Sequence, residues 1–266
     1  MSGSHEQQDR VRERFTRTAE QFAKFSLSTR SEEAEKLATL ALPLLRDATQ
    51  AVALDVACGP GTFTRAFAQR VKLIHGIDLT AAMLDLARAA AEKEGLRNCV
   101  FERGDAAALP YEDARFDLGV CAYAFHHFAD PAGAIRELAR VLRPGGVGAL
   151  VDMLVPNGAD PDAANAIERA RDASHETTFT AEELCTLMES AGPRVCVREV
   201  GTRERSFDDW MQIAGWQRGD AAYAEARRLM ETHLERDTSG FAPRRIAGSD
   251  DLAFTQTSLF VVAEKM

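Results

Sequence analysis

Three aspartates stand where apolar runs give way to small residues: Asp55 in LDVACGPGTF, Asp78 in LIHGIDL and Asp105 in GDAAALPY. Asp55 precedes Gly59 and Gly61, in a glycine-rich loop of the kind that lets backbone approach a ligand closely. A dinucleotide fingerprint needs glycine at a third position, and the run Gly59-Pro60-Gly61-Thr62-Phe63-Thr64 lacks it. A carboxylate repels a pyrophosphate and attracts an ammonium or sulfonium. Asp78 can accept from ribose hydroxyls in either kind of site. Asp105 can accept from an adenine amine while the next backbone N–H donates to the ring. A second set of groups lies further on. His126 and His127 follow FDLGVCAYAF, and Asp152 interrupts the apolar run VGALVDMLV. A carboxylate in a buried strand needs a partner, and an imidazole that it orients can act as a general base toward a hydroxyl. Adjacent histidines are expected to point different ways, so one faces a substrate: His126 first, with His127 in reserve. The simpler alternative is a histidine that only holds its loop.

These residues must be positioned by a sheet. AVALDVA (51–57), LIHGIDL (73–79), CVFERGDA (99–106), FDLGVCAYAF (116–125) and VGALVDMLV (147–155) read as strands, the first, second and fourth of them buried. Helical segments at 62–70, 80–94 and 131–142 separate them, the second stopped by Gly95 and the third opened by Pro131. Strands alternating with helices of this length mean a parallel sheet with crossover helices, and RPGG (143–146) reads as a turn. Upstream, 6–25 has helical spacing, and 31–46 is an amphipathic helix with Ser31 as its N-cap. Downstream, helices at 160–171 and 181–191 (capped by Thr180), a strand at 194–200, two helices within 207–236 and a last strand at 257–265 complete the chain. One domain, 1–266, is expected. Its parts are N-terminal helices forming a lid (6–47), a cofactor-binding half (48–155) and a substrate-side half (156–266) with a helical insertion at 207–250. The lid helix carries Phe15, Phe22 and Phe25 and has little else to order it, so it is expected to be mobile without cofactor.

Composition narrows the functions. The 266 residues carry a formal charge of −9 with no basic block, which argues against a nucleic-acid substrate. No apolar run approaches the roughly 20 residues of a membrane helix, and the N-terminus lacks the apolar stretch of a signal peptide. The chain therefore reads as cytoplasmic, a monomer or homodimer, with Met1–Ser4 an added remnant. Cys58, Cys99, Cys121, Cys185 and Cys196 are odd in number, scattered and without a CxxC pair, so they read as reduced thiols with no metal site. Cys58 reads as a small packing residue. Trp210, Met211 and Trp216 are core or substrate pocket. Arg203, Arg205, Arg244 and Arg245 are solvated unless one meets an anionic substrate.

DVACGPG, GIDLTAAML, GDAAALPY, FDLGVCAYAFHHFADP and LRPGG, in this order, resemble class I methyltransferases dependent on S-adenosylmethionine, most closely the ubiquinone/menaquinone-biosynthesis type. The resemblance covers about 10–155 well and the rest in outline. It implies an α/β, Rossmann-like, seven-stranded and mostly parallel sheet with helices on both faces and the last strand antiparallel. S-Adenosylmethionine has both cations that Asp55 would favour, and no phosphate. The resemblance places Asp55 and Gly59 near its methionine part, Asp78 on the ribose, Met83 against adenine, and Asp105 with Ala106 at the adenine edge. Ala57, Gly61, Leu79 and Tyr123 complete the expected cofactor-binding set. The family often has Tyr in an A-x-x-Y pattern on the N-terminal helix; Phe22 stands there, and a hydroxyl contact is lost. The implied reaction is in-line methyl transfer to a small-molecule acceptor, on oxygen or carbon and possibly quinone-like or phenolic, releasing S-adenosylhomocysteine. A cofactor-binding protein without catalysis and an NAD-dependent oxidoreductase are the alternatives.

Overall fold

The computed structural model describes residues 2–266, with side chains from His5 onward, so the reading of Met1–Ser4 lies largely outside the described residues. Two helices open the chain, α1 (Ser2–Arg17) and α2 (Ala19–Ala41). Next come β1 (Val52–Val56), α3 (Thr62–Ala68), β2 (Leu73–Asp78), α4 (Ala81–Lys93), β3 (Cys99–Arg103) and β4 (Phe116–Ala122). The middle of the chain holds α5 (Pro131–Val141), β5 (Leu142–Val155), α6 (Pro161–Arg171), the two-residue β6 (Phe179–Thr180), α7 (Ala181–Ser190) and β7 (Pro193–Ser206). It ends with α8 (Phe207–Ile213), α9 (Ala221–Glu231), β8 (Arg244–Arg245) and β9 (Leu252–Lys265).

The strands lie in the order β3-β2-β1-β4-β5-β9-β7. Pairings from β3 through β5 are parallel, and β9 runs antiparallel to both neighbours. This is the expected mostly parallel Rossmann-like sheet, enlarged from seven strands to nine by β6 alongside β5 and β8 alongside β9. Strand order reverses between β1 and β4, so their carboxyl ends open a crevice where a ligand can bind. One face of the sheet is covered by α5 and α7 through Ile135, Leu138, Leu184 and Met188. The other is covered by α2 and α3 through Leu37, Ala38, Phe63 and Phe67. A third cluster, with Phe207, Trp210, Met211, Tyr223 and Met230, holds α8 and α9 against α6 and the start of β9.

Two local expectations are corrected. Ser31 caps nothing: α2 runs unbroken through it, and its hydroxyl donates to the Leu27 carbonyl four residues back. Ser28 and Thr29 bond to the Phe25 carbonyl in the same way, so this polar stretch satisfies itself within one helix. RPGG is not a turn ahead of the strand but part of it. It bulges within β5, where Phe116 pairs with Leu142 but Leu118 pairs with Val147, and Gly145 takes the left-handed φ of 75° that the excursion needs. Thr180 does cap α7, in a reciprocal box with Glu183.

Candidate active site

The β1–α3 loop is the first wall of the crevice. Ala57 and Gly59 both have φ near 54° and Gly61 has 76°. That geometry costs energy for Ala57 and is concentrated at functional sites. Asp78, at the end of β2, braces the loop: one carboxylate oxygen accepts the Gly59 N–H at 2.9 Å, the other the Thr80 N–H at 2.8 Å. Burial raises its pKa. Asp105 accepts the Ala107 N–H at 2.9 Å and the Gln8 side-chain amide of α1 at 2.6 Å.

Of the ten residues expected to bind a cofactor, eight line this cleft: Ala57, Gly59, Asp78, Leu79, Met83, Asp105, Ala106 and Tyr123. Asp55 and Gly61 do not. Gly61 is turned into the protein, its α-carbon facing Ala87 of α4 so closely that an added Cβ would stand 3.0 Å from the Ala87 Cβ. Asp55 lies beneath the loop, where one oxygen accepts from the Thr64 hydroxyl at 2.6 Å and the other is buried without a partner. Burial pushes its carboxyl up to about 7.

A second cavity adjoins the cleft. Phe15, Phe22, Arg30, Tyr123 and His127 border both, and His126, His175, Arg205, Trp210 and Gln256 lie deeper. The pairing expected across β4 and β5 is present: His126 Nδ1 is 2.5 Å from an oxygen of buried Asp152, which also accepts the Met153 N–H at 2.7 Å. Burial alone would raise the Asp152 pKa, but the imidazole and these hydrogen bonds hold it below its ordinary value. With Nδ1–H donating to the carboxylate, His126 Nε2 carries the lone pair. The two histidines do not diverge as expected. They sit in one 3₁₀ turn with ring centres 4.1 Å apart, and both line the second cavity. His127 Nδ1 donates to the Ser174 carbonyl at 2.9 Å, and burial, with His126 and Arg14 nearby, lowers its pKa to about 3. His175, stacked on His126 and bonded to Asn165, is lowered by burial to about 2.

Several residues here gave no sequence signal. Gln7 donates to the carbonyls of His127 and Ser174 at 3.0 and 2.7 Å, and buried Arg14 pairs with buried Asp172. The N-terminal helix thus has polar anchors that its phenylalanines alone did not foretell. Arg171 lies 3.7 Å from Glu168, and Arg30 lies 3.0 Å from Glu33 and over the Tyr123 ring. Met211 is core and does not line either cavity, whereas Trp210 does both jobs. Trp216 is half-buried and donates its indole N–H to the Arg171 carbonyl. Arg203, Arg244 and Arg245 form ion pairs with Glu33, Glu204 and Glu231. Arg205 is buried. Cys58 is buried with its thiol pKa pushed up, as suits a packing residue, and all five cysteines are free. No described helix is long and apolar enough to cross a membrane.

Comparison with known proteins agrees with this architecture. A methyltransferase domain model matches residues 54–150. The uncharacterised protein YafE of Escherichia coli is 36% identical over 206 residues, 77% of this chain and 96% of YafE. The uncharacterised methyltransferase YcgJ of Bacillus subtilis is 40% identical over 125 residues, which span 46% of this chain and about half (49%) of YcgJ. Its crystal structure superposes with a TM-score of 0.75, covering 86% of this chain and 97% of that one at 26% identity. The 27-O-demethylrifamycin SV methyltransferase of Amycolatopsis mediterranei is 31% identical over 68% of this chain and 65% of its own length. With the sheet order, the glycine loop and the strand-end aspartates, these matches show that the chain is an enzyme of the methyltransferase type 11 family of class I methyltransferases.

Proposed function

We propose that this enzyme transfers the methyl group of S-adenosylmethionine to a hydroxyl of a small-molecule acceptor. The observation that carries the choice of hydroxyl is the His126–Asp152 pair, 2.5 Å apart and lining the cavity next to the cofactor cleft. The cleft suits the cofactor. Asp78 and Asp105 offer acceptors for ribose and adenine groups, and Met83 gives an apolar surface to the base. Asp55, buried beneath the loop with one oxygen unpartnered, has its pKa pushed up to about 7, and a cationic ligand nearby would favour its ionised form where a pyrophosphate would not. When bound, S-adenosylmethionine supplies a methyl on a positive sulfur, open to in-line displacement.

The protein's part is alignment, water exclusion and one proton. The aromatic wall of Phe15 and Phe22 closes over the boundary between the two cavities. His126 takes the acceptor hydroxyl's proton at Nε2. Asp152 fixes the tautomer and stabilises the imidazolium as it forms. His127, held neutral, can accept a hydrogen bond from the acceptor but is too weak a base to hold the proton. The relative that acts on 27-O-demethylrifamycin SV is named for a position on oxygen, which supports the hydroxyl reading.

The test is turnover with a panel of phenols and alcohols. His126→Ala should lower kcat by about 10²–10⁴-fold, the usual contribution of a positioned base, with S-adenosylhomocysteine affinity retained. Asp152→Asn should lose less. Full activity in both His126→Ala and His127→Ala would remove base catalysis and leave carbon methylation, where an activated ring attacks unaided.

A further inference from the structure

One arginine of the second cavity has no carboxylate beside it. The others are paired: Arg14 with Asp172, Arg171 with Glu168 and Arg30 with Glu33. Arg205, on β7, is the exception among the described residues. It is 7% exposed, and its one hydrogen bond is a long one, 3.3 Å, from Nη1 to the neutral side chain of Gln256. Arg205 lines the cavity and, among the described residues, has no carboxylate within ion-pair reach. Burial, then the neighbouring Arg30, Arg171 and Arg203, lowers its pKa to about 9, against a smaller opposing pull from Glu33. A buried guanidinium without an anion is costly, and a ligand that supplied the counter-charge would relieve that cost.

The wall between Arg205 and the histidines is aromatic. Arg205 lies 4.7 Å over Phe25, which meets Phe22 at 6.0 Å; Phe22 meets Phe15 at 5.2 Å, and Phe15 meets His127 at 5.2 Å. A cation stands at one end of an apolar strip, and at the other the His127 imidazole, whose ring centre is 4.1 Å from that of His126. A single unmatched guanidinium suits a single negative charge, and its planar fork suits a carboxylate.

We propose that Arg205 is a specificity-determining residue that binds the carboxylate of the acceptor, so that the substrate class is a flat, hydroxylated aromatic carboxylic acid. The inference deepens the hydroxyl-methylation reading and rests on it for the acceptor's other end.

Binding tests it apart from turnover. The probes are hydroxybenzoate, hydroxycinnamate and hydroxynaphthoate, each beside its carboxamide and the matching hydroxyaryl phosphate, titrated into the protein saturated with S-adenosylhomocysteine. At least one acid should bind about tenfold or more tighter than its amide, the scale of a charge-assisted hydrogen bond. In Arg205→Met, which keeps the apolar stem against Phe25, that ratio should fall to about one with S-adenosylhomocysteine binding intact. Arg205→Gln provides the same comparison should the methionine variant fold poorly. Equal binding of acids and amides to the wild type, an unchanged ratio in the variants, or preference for the phosphates would overturn the assignment. Acids that bind through Arg205 but are methylated as fast by His126→Ala would leave this inference standing and remove the base instead.

Discussion

Asp55 allows a quantitative test of the electrostatics under the glycine loop. The carboxylate is buried by α3 and β1, with one partner, Thr64, and one oxygen that has none. Burial moves its pKa from 3.8 up to about 7. The folded protein therefore holds this proton more tightly than the unfolded chain does. The resulting stabilisation is fully present below pH 3.8 and is lost as the pH rises to about 7. Each pH unit in that window is worth about 1.36 kcal/mol, so the whole effect is roughly 4 kcal/mol. Asp55→Asn keeps the volume and a hydrogen bond to Thr64 and removes the titration. Denaturant unfolding of the cofactor-free protein at about pH 5, 6, 7 and 8 gives the stability of each form. The Asn variant should gain on the wild type by about 1 kcal/mol per pH unit up to pH 7, and the difference should then level off. A difference that stays constant from pH 5 to 8 would refute the reasoning, because Asp55 would then be charged throughout.

Three further outcomes follow from other parts of the fold. Arg14→Met breaks the buried pair with Asp172; the cost of about 3–5 kcal/mol should fall on α1, seen as about 100-fold or greater faster hydrogen exchange over residues 5–17 with β1 unchanged. Thr180→Ala removes the side-chain half of the α7 capping box, leaving the backbone N–H on Glu183, and should cost about 1 kcal/mol in denaturant unfolding. Gly61→Ala forces a left-handed φ on a residue with a side chain and presses on Ala87; a loss of about 1–3 kcal/mol is expected, read as a lower Tm.

The sheet was legible because most of its parallel strands announce themselves as apolar runs, and because aspartates stand at or beside the ends of β1, β2 and β3, where the crevice opens. Asp152 was legible for the opposite reason: it breaks such a run, and a buried carboxylate implies a partner, which His126 supplies. The acceptor side was hidden by its chemistry. Arg14, Glu168, Arg171 and Asp172 lie at spacings that fit a solvated helix face equally well, and only the tertiary packing of α1 on α6 and the segment after it turns them inward. Arg203 and Arg205 stand two residues apart on one face of β7, and nothing local says that one is paired at the rim and the other buried. The helix start was misplaced at Ser31 because serine and threonine have two uses, capping a helix or bonding back along it, and sequence does not choose between them. Asp55 kept its chemistry but not its exposure: its position at the strand end fits a ligand contact, while α3 folds over it.

The border shared by the two cavities has a thermodynamic consequence. Phe15, Phe22, Arg30, Tyr123 and His127 face both spaces, so whatever orders them for one occupant has already ordered them for the other. The two ligands are then coupled, and coupling of binding free energies is reciprocal: the factor by which the first tightens the second is the factor by which the second tightens the first. Affinities measured for either ligand alone would thus understate those in the ternary complex by one common ratio.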